Sequence, residues 1–280
     1  MSQAAQGLAA IRQKIDAMDA DIHGLLMQRG ELIAALQAAK GIGAPGGGTT
    51  AMHPAREARV IRALVERHTG DLPLAALERI WREIIASFTQ LQAPFKVMLA
   101  GADQLTLCEI GRYYFGISTP LSYVAGSGDV LDAVAAHDDV AGVIVGDIAK
   151  DGSDWWARLA VASDHPARIV ARLPFLIDND ETQAWRSPAF IVSRANVAPS
   201  GEDATLIAAR GAASQPDEAF AAALGMSNAK QLARSQHGQD KTLLFEVPGH
   251  IPADNIPSGG DISLRWLGGY AVALRAPEKS

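Results

Sequence analysis

The chain has 280 residues, 48% of them hydrophobic, one cysteine and a formal net charge of −6. That is apolar material for one large domain or two modest ones, too little cysteine for a disulfide framework or a cysteine zinc cluster, and the wrong sign for nucleic acid as the main partner. No apolar run reaches the roughly 18 residues of a membrane span, the first residues lack a secretory leader's pattern, and the seven histidines show no HxxxH or HExxH spacing, so the expectation is a cytoplasmic protein with no metal and no cofactor.

Apolar residues first recur every three or four positions from Leu8 to Leu36, which predicts one amphipathic helix over about residues 4–40. As heptads, Leu8, Ile15, Ile22, Arg29 and Leu36 share one position, and Ile11, Met18, Leu25 and Leu32 share the other. Such a helix is on the order of 50 Å long, and a second copy of the chain is the simplest partner for its whole seam. "GIGAPGGGTT" (41–50) breaks it. Pro54 opens a second helix over about 54–69, with Val60, Ile61, Leu64 and Val65 as its apolar face. "TGDLP" is a turn, and Leu74, Leu77, Trp81, Ile84, Phe88 and Leu91 step along a third helix over about 74–93.

From residue 96 the pattern changes. "FKVMLAG" predicts a buried strand, 104–115 a helix, and "LSYVAGSGDVLDAVAAH" a strand, a glycine turn and a helix. "VAGVIVGDI", "ARIVARLPFLI", "PAFIVSRANV", "DATLIAARG" and "KTLLFEVPGHI" predict further strands, with helices at 216–225 and 227–233. The expected fold class is an all-α N-terminal domain of three helices, residues 1–94, forming an intertwined dimer, followed by an α/β or α+β domain, residues 95–280. The paired tryptophans of "SDWWARLA" predict packing. GxGxxG, GxxxxGK[ST] and GxSxG are all absent.

The charges inside the helical pattern carry the chemistry. Arg29 stands in a seam otherwise built of aliphatic residues, and a buried guanidinium costs several kcal/mol unless an anion meets it. That anion is either a carboxylate of a partner helix, fixing register, or a ligand. Lys40 follows Arg29 by eleven residues, about three turns plus 20°, so both leave one face roughly 16 Å apart along the axis. Arg12 is too far along the rod to reach that site but can reach the equivalent site of an antiparallel second copy. Glu57 shares the stripe of the second helix, beside Arg56, and Gln92 sits at the end of the third. Inward cations, one carboxylate and one amide, without nucleophile or metal, suit holding a small dianion rather than hydrolysis.

The same set resembles the all-helical class of chorismate mutase. "LAAIRQKIDAMDADIHGLLMQRGELIAALQAAK", "HPAREARVIRAL" and "IWREIIASFTQLQ" carry the resemblance over residues 5–93, with Arg12, Arg29, Lys40, the Arg56–Glu57 pair and Gln92 in order. It implies the Claisen rearrangement of chorismate to prephenate. By resemblance, Arg29 grips one carboxylate and Arg12 of the other subunit the second. Lys40 and Gln92 donate to the ether oxygen, Glu57 takes the ring hydroxyl, and Arg56 supports it. Two positions depart: Phe88 replaces a serine and His53 an acid, each removing a polar contact. An isochorismate–pyruvate lyase has a similar helical fold and cationic site, and an inactive mutase fold used as a regulatory module is the reading outside enzymes.

Residues 96–280 resemble, in shortened form, the prephenate dehydratase half of bifunctional mutase–dehydratases, through "FKVMLAG…IGRYYFG" and the ACT-like "KTLLFEVPGHI…WLGGYAVAL". The family's Thr-Arg-Phe is replaced by "SPAF" at 187–190 and its Glu-Asn-Ser by "GDIAKDGS", so no dehydratase activity is expected. "SQPDEAF" stands where the ACT glycine loop belongs, and a structural or regulatory role is expected for this half.

Overall fold

The computed structural model describes residues 3–40, 52–161, 166–177, 184–257 and 260–276. Three helices come first: α1 (Gln3–Lys40), α2 (Pro54–Arg67) and α3 (Leu74–Gln92). The linker between α1 and α2 lies outside the described residues. α2 opens on Pro54, whose missing N–H costs nothing in a first turn.

Only the C-terminal part of α1 is packed. Gly30 lies against Phe88 of α3, and the Gln37 amide donates to the carbonyls of Leu91 and Gln92, 3.1 and 2.7 Å away. Those carbonyls end a helix and have no partner within it, so the amide fastens two helices by satisfying them. The rest of the seam is open, from 50% exposure at Leu8 to 67% at Leu32.

The α/β part follows as β1 (Lys96–Ala100), α4 (Gln104–Phe115), β2 (Leu121–Val124), α5 (Ser127–Ala136), β3 (Val140–Val145), α6 (Ala157–Val161), β4 (Arg168–Leu173), β5 (Leu176–Ile177), β6 (Ala189–Ser193), β7 (Asp203–Ala212), α7 (Asp217–Leu224), β8 (Lys230–His237), β9 (Asp240–Pro248), β10 (Ser263–Ala271) and β11 (Leu274–Arg275). Nine strands form one mixed sheet in the order β2-β1-β3-β6-β4-β10-β7-β9-β8. β1 runs parallel to β2 and β3, and β6 is antiparallel to β3 and β4. The two ends of the chain's second half join where β10 meets β4, at Gly268 and Ile169. Gly268 has φ +127°, and a Cβ there would stand 2.1 Å from the Ile169 carbonyl oxygen, so only glycine closes the sheet.

One expected element is overturned. Residues 227–233 are not a helix: 230–237 form β8, an edge strand paired antiparallel with β9. Gly238, at φ +60°, turns the chain between them. The hairpin's ladder outweighs the helix-compatible "KQLA", whose local preference is weak. Trp155 and Trp156 are buried in the sheet core, as the packing reading expects.

The helical region is built into the sheet domain. Met52 enters the core beside Leu99, Tyr114 and Phe115. Arg62 of α2 donates to the Ser200, Glu202 and Val272 carbonyls and to the Ser200 hydroxyl, all at 2.8–2.9 Å. Gln90 of α3 bonds both the N–H and the C=O of Phe95, fixing the step into β1. No described helix is long and apolar enough to cross a membrane.

Candidate active site

A cavity of about 560 Å³ opens where the C-terminal part of α1 faces α2 and α3. Arg29, Leu32, Ile33 and Leu36 wall it from α1, His53, Arg56, Glu57 and Val60 from α2 and its N-cap, and Ile85, Phe88, Thr89 and Gln92 from α3. Four of the residues expected at the site, Arg29, Arg56, Glu57 and Gln92, therefore line one space. Both departures, His53 and Phe88, line it too.

Arg29 is not in a dry seam. It is exposed at the cavity rim, because among the described residues no helix covers the surrounding seam. Its guanidinium lies 4.9 Å from the centre of the Phe88 ring, a cation–π distance. Partial burial and then the neighbouring Arg56 lower its pKa. Among the described residues no carboxylate lies within ion-pair distance of it. Two cations facing one space, with Arg29 unpaired by any described carboxylate and Glu57 engaged by Arg82, set a field that favours an anionic ligand.

Glu57 is turned away from that task. Its carboxylate is nearly buried and receives Arg82 Nη1 at 3.1 Å. Burial raises the Glu57 pKa, against the opposing effects of Arg82, the Tyr114 hydroxyl and the His53 N–H. Gln92 donates its amide to the Phe88 carbonyl at 3.2 Å, one turn back along α3. Arg12 lies on the exposed half of α1, outside the cavity wall and about 25 Å along the axis from Arg29. Lys40 ends α1, and its side chain lies outside the described residues.

Sequence reasoning missed Arg82. It is 2% exposed and grips Glu78 as well as Glu57, through Nε at 3.3 Å and Nη2 at 3.2 Å. The most buried stripe of α3 is Glu78, Arg82, Ala86 and Thr89, while Leu77, Trp81 and Phe88 on the predicted seam are half-buried. The signal was the four-residue step from Glu78 to Arg82 facing the tyrosines of "GRYYFG". Among the described residues no group of three His, Cys, Asp or Glu side chains is placed to hold a metal ion.

Comparison with known proteins adds likenesses to both parts of the chain. A family model described as chorismate mutase type II matches residues 11–93. A bifunctional chorismate mutase/prephenate dehydratase of Stutzerimonas stutzeri is 27% identical over 154 residues, a stretch too long to be confined to the helical region. That match takes in 55% of this chain and 42% of the relative, so the chain spans less than half of that protein's length. Among solved structures, GqqA, described as a novel type of quorum-quenching acylase, is 13% identical with a TM-score of 0.43 over 63% of this chain and 95% of its own. A prephenate dehydratase from Streptococcus mutans is 13% identical with a TM-score of 0.42 over 64% and 100%. Over residues 11–93 this chain is similar to the chorismate mutase type II family.

Proposed function

We propose that this chain is a chorismate mutase of aromatic amino-acid biosynthesis, working in the cytoplasm, with a helical catalytic domain over residues 1–94 and an α/β domain over 95–280. The observation that carries the reading is a cavity walled by Arg29 and Arg56 with no described carboxylate paired to Arg29. Chorismate, with two carboxylates, supplies the missing charge. The rearrangement is unimolecular, so the site needs no nucleophile. It has to hold the enolpyruvyl arm over the ring and stabilise the charge growing on the ether oxygen. Arg29 takes one carboxylate, Lys40 and Gln92 donate to the ether oxygen, and Glu57, supported by Arg56, accepts the ring hydroxyl.

The second carboxylate is assigned to Arg12 of a second copy. The open α1 seam supports this. An antiparallel copy crossing near Ile22 sets Leu8 opposite Leu36 and brings its Arg12 within about one turn of this chain's Arg29. Arg12→Ala and Lys40→Ala are each expected to be nearly inactive. Mixed and reassembled, they recover roughly one quarter of wild-type activity, because half the dimers carry one intact site. No recovery would place Arg12 outside the site.

The direct test is purified protein with chorismate, following loss of substrate and formation of prephenate. With "SPAF" in the second half, prephenate accumulates and is not dehydrated. A rate equal to the uncatalysed one overturns the reading in favour of a regulatory module. Pyruvate and salicylate from isochorismate would identify the lyase.

Acid should inhibit through Glu57. Burial holds its carboxyl above the ordinary glutamate range, so the native state takes up this proton before the unfolded chain does. The resulting stability is fully present below the unfolded glutamate pKa and is lost as pH rises through the higher native value. Activity has the opposite sense, because the carboxylate is the acceptor. The kcat/KM profile is expected to fall on acidification with a midpoint above the ordinary glutamate range, and Glu57→Gln is expected to remove that limb.

A further inference from the structure

The Glu57 carboxylate is one end of a buried chain of polar groups that leaves the helical region. Arg82 bridges Glu57 and Glu78. Glu78 accepts the Tyr113 hydroxyl of α4 at 2.6 Å. Arg82 lies 4.3 Å from the centre of the Tyr114 ring, also on α4, and the Tyr114 hydroxyl works against the burial that raises the Glu57 pKa. Tyr113 stacks on Trp185 at 3.8 Å, so the α/β domain braces the far end. Burial pushes both phenols up, which keeps them protonated and able to donate.

We propose that the α/β domain completes the mutase site: Arg82, held by Glu78 and the α4 tyrosines, is the positioning residue that sets the orientation and charge of Glu57. This rests on the mutase reading for its consequence in catalysis, though not for the geometry. One guanidinium divided between two carboxylates cannot fully stabilise either. What Glu57 receives therefore depends on what Glu78 takes, and on the hydroxyl that Tyr114 adds. The other charged groups facing Glu57 are Arg56 and His53 on its own helix and N-cap, and Arg29 across the cavity. None of these connects it to the sheet domain, whereas Arg82 does. The second half of the chain is then part of the catalytic apparatus without touching substrate.

Two shape-preserving substitutions move Glu57 in opposite directions. Glu78→Gln leaves Arg82 to Glu57 alone and should move the acid limb of kcat/KM down by roughly one pH unit. Tyr114→Phe keeps the ring under Arg82, removes the hydroxyl, and should move the limb up by a similar amount. A group that merely fills space would lower the melting temperature in both variants and leave the limb where it is. That result, or a shift of both in one direction, overturns the proposal. A carbon-13 titration of the Glu57 carboxyl, assigned by its loss in Glu57→Gln, reads the same opposed shifts without turnover. If the protein does not rearrange chorismate but the opposed shifts appear, the mutase reading fails and the network stands. If it turns over with the limb unmoved, only the network fails.

Discussion

Arg29→Ala is expected to lower kcat/KM for chorismate by about 10²–10³, or ~3–4 kcal/mol at 1.36 kcal/mol per tenfold. Arg29 is exposed at the rim, stacks on Phe88 and has no paired carboxylate among the described residues. Removing it breaks no internal ion pair, so the unfolding free energy should change by no more than about 0.5 kcal/mol, the usual range for a surface site. Activity and stability thus separate, which is the signature of a ligand-facing charge. Arg29→Lys should recover only part of the loss. An ammonium keeps the charge but cannot grip a carboxylate with two parallel hydrogen bonds or lie flat on the Phe88 ring. Steady-state kinetics with a denaturant titration of each variant checks both halves. A loss of stability matching the loss of activity would mean that Arg29 is a structural residue.

How much of this was legible before the structure depends on range. The three helices follow from local periodicity, but only on α2 does the predicted face include the buried residues, Ile61 and Leu64. What surrounds α1 was not legible, because most of its seam meets nothing among the described residues. Arg29 therefore looked buried from its heptad position and is not. The 227–233 stretch failed for the opposite reason. Its apolar residues are few, and its structure is decided by β9, ten residues on, and not by its own preference. That Glu57 faces the cavity was legible, and its environment was not. The expectation that charges on a helix face water hid Glu78 and Arg82, whose partners outside α3 sit on α2 and α4, 25 or more residues away. Hydrophobic pattern locates helices, but it is silent on which buried charges neutralise one another.

Arg82→Met is the substitution expected to cost the fold most, about 3–5 kcal/mol, because it strands two buried carboxylates. Glu57 and Glu78 would keep their burial and lose the guanidinium that both face. Their cheapest response is to bind protons, so the variant should lose least at low pH and become progressively weaker as pH rises. The size of the effect does not mean that the wild-type cluster is worth that much. Removing one member of a buried ionic group exposes the desolvation of those left behind. The triple variant Arg82→Met with Glu57→Gln and Glu78→Gln tests this distinction. With the stranded charges gone, most of the lost stability should return, measured by urea unfolding at neutral pH. Catalysis should not return, because the carboxylate proposed to accept the ring hydroxyl is absent. A fold restored without its activity would show that these three charges are kept for what happens in the cavity and not for what they add to the core.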